Sequence, residues 1–123
     1  MNQKILDEFG EIIISRVRDK AINEWEMILN GRMKGISATQ IRNLLSGYSV
    51  EEIHILEEII PQVVDTTLHH LLWTFDQFDN LKLLLLDKDG TTCDVKESSD
   101  GLPGELYGDL GWIKRFTKKR VIF

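Results

Sequence analysis

At 123 residues, 42% apolar and 28% charged, with two prolines and nine glycines, the chain has the balance of one globular domain, which excludes a disordered or fibrous class. A single cysteine, Cys93, excludes an intrachain disulfide and suits a reducing compartment. Residues 1–10 lack a basic-then-apolar leader, and the longest purely apolar run, 83–86, falls far short of the ~20 residues of a membrane span. The expectation is a cytoplasmic protein with no membrane partner.

The net charge of −5 is unevenly spread. Lys114, Arg115, Lys118, Lys119 and Arg120 place five bases and no acid in the last ten residues. The preceding residues hold ten bases and twenty acids, a body of −10. Such a body repels nucleic-acid phosphates and draws basic partners through fields that salt screens. The basic tail, with Phe116 inside it, reads as internal neutralisation or as lysines guarding a strand edge, not as a nucleic-acid contact.

Residues 3–30 read as one long helix. Ile5, Leu6, Phe9, Ile12, Ile13, Val17, Ala21, Trp25, Ile28 and Leu29 recur at three- and four-residue steps, and Gly31 supplies the stop. Gly10 reads as a mild defect, worth about 1 kcal/mol against alanine. A shorter helix follows, with Ser37 as N-cap, Ile41, Leu44 and Leu45 as its apolar edge, and Gly47 ending it. At Ser49, the spacing to Glu52 is that of a capping box. Ile53, Leu56, Ile60, Val64, Leu68, Leu71, Phe75 and Phe78 then keep a helical period, which Pro61 should kink or split into two helices near Ile60.

From Leu81 the period changes. Residues 81–86 and 91–95 around Asp87-Lys-Asp-Gly90 read as a hairpin with a positive-φ turn at Asp-Gly. Four glycines and Pro103 make 97–111 a loop, and 112–116 and 120–123 have the composition of two further short strands. The expected fold class is α+β. It is a single domain over 1–123, with a bundle of three to four helices in 1–80 and a small C-terminal antiparallel sheet in a β-rich 81–123.

The chemistry-bearing residues gather in two places. Adjacent histidines His69 and His70 point about 100° apart on a helix, so they do not share a metal. His69 does share a face with Asp65, Trp73 and Asp76, an imidazole-and-carboxylate set of the kind used by general-base and metal-assisted sites. The plainer reading has Asp65 accepting a hydrogen bond from His69 while Trp73 packs under the C-terminal unit and His70 sits at the core edge. His54 and Glu58 form another i,i+4 pair, read as a solvated face. Asp87 to Gly90 lacks the spacing of a calcium loop, and Cys93 reads as a buried, inert thiol within a strand.

The second place is Ser98 to Gly111. It lacks the lysine and following helix of a phosphate loop, and its acids Asp100, Glu105 and Asp109 oppose anions. It reads as a structured loop carrying Leu102 and Tyr107 onto the core, or as a recognition loop.

Two blocks resemble a family of small bacterial cytosolic proteins with no assigned activity: Val64-Asp-Thr-Thr-Leu-His-His-Leu-Leu-Trp73 and Ser99-Asp-Gly-Leu-Pro-Gly-Glu-Leu-Tyr-Gly-Asp-Leu-Gly-Trp112. Val17-Arg-Asp-Lys-Ala-Ile-Asn-Glu-Trp25 is similar too, so the resemblance spans most of the chain. It implies a bacterial, single-domain cytosolic protein and assigns no catalytic residue. It draws attention to one cleft that would join Asp65, His69, His70 and Trp73 to Asp100, Glu105, Tyr107 and Trp112. In type, a small acidic chain without an enzymatic motif also resembles the immunity proteins that bacteria pair with secreted toxins.

The leading expectation is therefore a binding protein that occludes a basic protein partner such as a nuclease toxin. Its contacts would come from Asp65, His69, Trp73, Asp76, Asp100, Glu105, Tyr107 and Asp109, with no cofactor and no metal. A small hydrolase on the Asp65/His69 face and a homo-oligomer anchored by Trp73 are the alternatives.

Overall fold

The computed structural model describes residues 2–119. Helix α1 (Gln3–Ile13) runs through a π-helical turn (Ile14–Arg18) into α2 (Asp19–Leu29), and α3 (Ile36–Leu44) and α4 (Val50–Gln77) follow. Strands β1 (Leu84–Leu86) and β2 (Thr92–Asp94) then pair, 3₁₀ turns occupy Lys96–Ser98 and Leu102–Leu106, and α5 (Trp112–Phe116) closes the described chain. The architecture is α+β, helices carrying a small antiparallel hairpin near the C-terminal end.

Asn2 and Ser49 cap their helices through side-chain oxygens, and the Ser49–Glu52 capping box forms in both directions. Gly31, at φ 72°, turns the chain after α2, where the Arg32 amide reaches back to the Met27 carbonyl at 2.8 Å. Helix α3 starts two residues earlier than its serine suggested: Gly35 stands at the cap, so Ser37 lies inside the helix. Pro61 does not split α4, which runs as a single helix with the proline ring buried on its inner face. Packing of that face offsets the one amide bond that proline cannot make.

The π-turn rewrites the inner face of the first helix. Its extra residue, visible where the Asp19 amide bonds the Ile14 carbonyl five positions back, shifts everything beyond by one place. The buried positions are Ile5, Leu6, Phe9 and Gly10, then Ile14, Arg18 and Ile22. The straight-helix period places Val17 inside; it is 44% exposed, and Arg18 at 0% takes the interior position instead.

Ile5, Leu6, Phe9 and Ile14 meet Leu68 and Leu72 of α4 and are covered by Val95, Leu102, Leu106, Trp112 and Ile113. Leu71 and Phe78, which shared the helical period, are about half exposed. The expected hairpin forms with shorter strands than 81–86 and 91–95, pairing Leu85 opposite Cys93, and Gly90 takes the positive-φ turn position at 84°. Leu83 and Leu85 face the core while Leu84 and Leu86 face out. Among the described residues after Leu81, no other strand forms. Residues 112–116 form α5, not a strand: their i, i+1, i+4 spacing sets Trp112, Ile113 and Phe116 on one inward face, and packing outweighs their strand-like composition. The expected strand at 120–123 lies outside the described residues.

Trp112 explains Gly10. Its indole meets Phe9 edge-on at 5.7 Å and covers Gly10, where an added Cβ would stand 2.5 Å from the ring. Its buried Nε1 finds no hydrogen-bond partner among the described residues, so the ring is held by its apolar surface. Gly10 is thus a close-approach site and not a defect. We expect Gly10→Ala to lower stability by about 1–3 kcal/mol, because overpacking exceeds the helix-propensity gain of about 1 kcal/mol. A denaturant midpoint equal to or above the parent's would contradict that packing.

Beneath this core the Arg18 guanidinium is enclosed by polar partners. Nε donates to Asp65 Oδ1 at 2.6 Å and Nη2 to Oδ2 at 3.3 Å, a two-pronged contact. Nη1 donates to Asp19 Oδ1 at 3.3 Å and to Thr117 Oγ1 at 2.9 Å. Removing one partner leaves a charge buried, so Asp65→Ala should cost about 3–5 kcal/mol, whereas the paired R18M/D65L replacement should cost less than that single change. A double-mutant cycle by urea unfolding measures both.

Candidate functional site

The loop that follows the hairpin is held at several points along its length. Ser99 Oγ accepts the Gly101 amide at 3.0 Å, and Asp76 Oδ2 of α4 accepts the Leu102 amide at 2.8 Å. Leu102, Pro103 and Leu106 are buried on the inner side of the 3₁₀ turn. Next, Tyr107 Oη meets His69 Nδ1 at 3.0 Å, with the rings 5.8 Å apart. Gly108, at φ 86°, turns the chain back, and a Cβ at Gly111 would collide with the Tyr107 carbonyl. Finally, Lys114 Nζ pairs with Asp109 at 2.7 Å.

What the loop presents outward is a cleft of about 680 Å³ between its outer edge, α1 and α5. Asp7 and Arg115 close one side, paired at 2.8 Å, and Glu105, Tyr107, Asp109 and Leu110 form the other. The Arg115 guanidinium, which also lies 4.7 Å over the Phe116 ring, holds the Asp7 carboxyl below its ordinary value. Burial raises Glu105 above the ordinary carboxyl range, with Arg115 opposing and Asp100 and Asp7 adding to the rise. Burial, and the nearby Asp65 charge, raise Tyr107. His69, which holds Tyr107, also lines a small recess with His70 and Trp73.

The cleft anticipated from the sequence forms only in part. Glu105, Tyr107 and Asp109 line it, and His69 touches it through Tyr107. Asp65 does not accept from His69: its carboxylate turns inward to Arg18 and is 7% exposed. Asp76 serves the Leu102 amide, Asp100 stands exposed on the loop, and Trp112 is core. Trp73 does not pack under the C-terminal unit; it is 47% exposed, and His70 beside it is exposed as well. The His54 ring lies 3.9 Å from Glu57, one position short of Glu58.

Asp7, Arg115 and Leu110 belong to the site without having been anticipated. Leu110 had a signal, an apolar residue between Asp109 and Gly111 in a turn, and it is 85% exposed. Asp7 and Arg115 had none, being 108 positions apart in sequence. Among the described residues, no group of three or more histidine, cysteine, aspartate or glutamate side chains is placed to hold a metal ion. No helix there is long and apolar enough to cross a membrane. The chain matches no family model, no curated protein and no solved structure.

Chemically, the cleft offers hydrogen-bond acceptors, one phenol and an apolar tip on an anchored loop. The Asp65, His69 and Asp76 groups of a general-base site are committed to three different neighbours. The raised Glu105 has a consequence for stability. Between the ordinary and the raised value the folded chain binds more protons than the unfolded one, so stability falls as pH climbs through that window. Glu105→Gln carries no such loss, and its Tm relative to the parent should rise between about pH 4 and about pH 7. Thermal melts at both values decide it; a difference independent of pH would remove the buried-carboxyl account.

Proposed function

We propose that the chain is a protein-recognition module, most concretely an immunity-type inhibitor that occludes a basic partner such as a nuclease toxin. The observation that carries the reading is the anchored loop: a segment tied down at Asp76, His69 and Lys114 holds Leu110, 85% exposed, and Tyr107, 39% exposed, out beside carboxylates. Large apolar and aromatic tips on a rigid support are what interface anchors are made of, because little ordering entropy is lost when they dock. Glu105 and Asp109 line the same cleft, and with Asp100, exposed earlier on the loop, they supply complementarity to a cationic surface.

Trp73 extends the same surface across Tyr107 and His69. Recognition would thus proceed by occlusion, with Tyr107, Leu110 and Trp73 as anchors and the acids setting encounter rate and partner sign. Membership of the bacterial family with the two blocks, and a cytoplasmic location, belong to this same proposal.

The test is capture by tagged protein from host lysate at low and high salt, with the bound material identified by mass spectrometry. A single basic protein, released by salt and bound about 30-fold or more weakly by Y107A/L110A, is the expected result. Capture indifferent to salt and to both substitutions, or recovery of nothing but the chain's own copies, overturns it. The latter result would favour self-association through Trp73 and the exposed Ile55, Ile59 and Val63 of α4.

A further inference from the structure

A second cleft, of about 650 Å³, shares no lining residue with the loop cleft and has the opposite electrostatic character. It lies along the π-turn and α2, where segment 117–119 passes beside them. Met27, Met33 and Phe116 give it apolar lining, and Arg16, Lys20, Lys118 and Lys119 bring four cations to it against Asp19 and Glu24.

The wall of this cleft is built from the interior outward. Asp19, braced by the buried Arg18, accepts the Lys118 amide at 2.8 Å and the Thr117 hydroxyl at 2.6 Å. Thr117 Oγ1 in turn accepts the Lys119 amide at 2.9 Å. The two lysines are therefore delivered by the same network that closes the core. The Lys119 ammonium is committed to Asn23 Oδ1 at 2.9 Å and to Glu26 at 3.6 Å. Among the described residues, no ion pair or side-chain hydrogen bond engages the side chains of Arg16, Lys20 or Lys118, and all three are exposed. In a chain of net charge −5, three exposed cations with no ion pair among the described residues thus gather beside an apolar floor.

We propose that this cleft binds a nucleoside phosphate. Its volume lies inside the roughly 300–1,000 Å³ of small-ligand sites. Two thioethers and a phenyl ring form a soft, polarisable bed for a flat heterocycle. Glu24 stands at the edge as a hydrogen-bonding group for a base, and Arg16, Lys20 and Lys118 supply charge for a phosphate. An acyl chain is better served by an enclosed tunnel than by an open cleft ringed by cations. This site stands on a different face from the proposed recognition loop, so either assignment can fail alone.

Calorimetric titration with adenosine 5′-monophosphate, adenosine, inorganic phosphate and laurate tests it. The monophosphate should bind about tenfold or more tightly than either adenosine or phosphate, since only it engages both halves of the cleft. Added salt should weaken it. K20A/K118A should lower its affinity by about tenfold or more, while Y107A/L110A should leave it unchanged. Lys20 and Lys118 are exposed and their ammonium groups form no ion pair among the described residues, so that variant keeps the parent's fold, checked by circular dichroism. No heat with the monophosphate, phosphate alone binding as tightly, laurate binding more tightly, or affinity undiminished in K20A/K118A each overturns the assignment.

Discussion

Everything in this molecule is arranged around one fully enclosed guanidinium. Arg18 is 0% exposed and touches carboxylates from two directions, Asp65 at 2.6 Å and Asp19 at 3.3 Å. Taking such a charge out of water costs several kcal/mol, so it survives only because each prong has an acceptor. The contact joins parts of the chain that are far apart in sequence: the π-turn, the middle of α4 and the segment after α5. Its geometry also accounts for the π-turn. A regular helix would have pointed Val17 inward, and the extra residue brings Arg18 to that position.

The consequences reach both candidate surfaces. Asp65 is consumed by Arg18, which separates it from His69 and leaves that imidazole to hold Tyr107. Asp19 is consumed too, and its second oxygen orders the Lys118 backbone. One interior network thus steadies an acidic recognition loop on one side and delivers two lysines to a basic cleft on another. The uneven charge of the sequence is reproduced in space, with acids around Leu110 and exposed cations around Met27, Met33 and Phe116.

Gly10 and Gly111 show how closely the terminal segment is fitted. Neither is needed for an unusual φ; both are needed for want of a side chain. The first lies under the Trp112 ring, and the second faces the Tyr107 carbonyl. A single methyl at either place pushes against groups that cannot yield, because the interior is as dense as an organic crystal.

The sequence by itself determined what depends on neighbours a few residues away. The long first helix, the Ser49–Glu52 capping box, the Asp87 to Gly90 turn and the α+β class all follow from short-range propensity, capping and positive-φ chemistry. So did the structured character of the glycine-rich loop, although of the two side chains expected on the core only Leu102 reaches it, while Tyr107 stays 39% exposed because its ring turns outward to His69. Tertiary structure alone decided the rest. Residues 112–116 became helix because one face had a core to enter, and Pro61 stayed within one helix because its ring was buried there. Asp65 went to Arg18 instead of His69 because a buried guanidinium demands a carboxylate more strongly than a half-exposed imidazole does. That choice turned on a one-residue phase shift at the π-turn, which local periodicity does not encode, since the energy that favours it comes from partners 47 and 99 positions away.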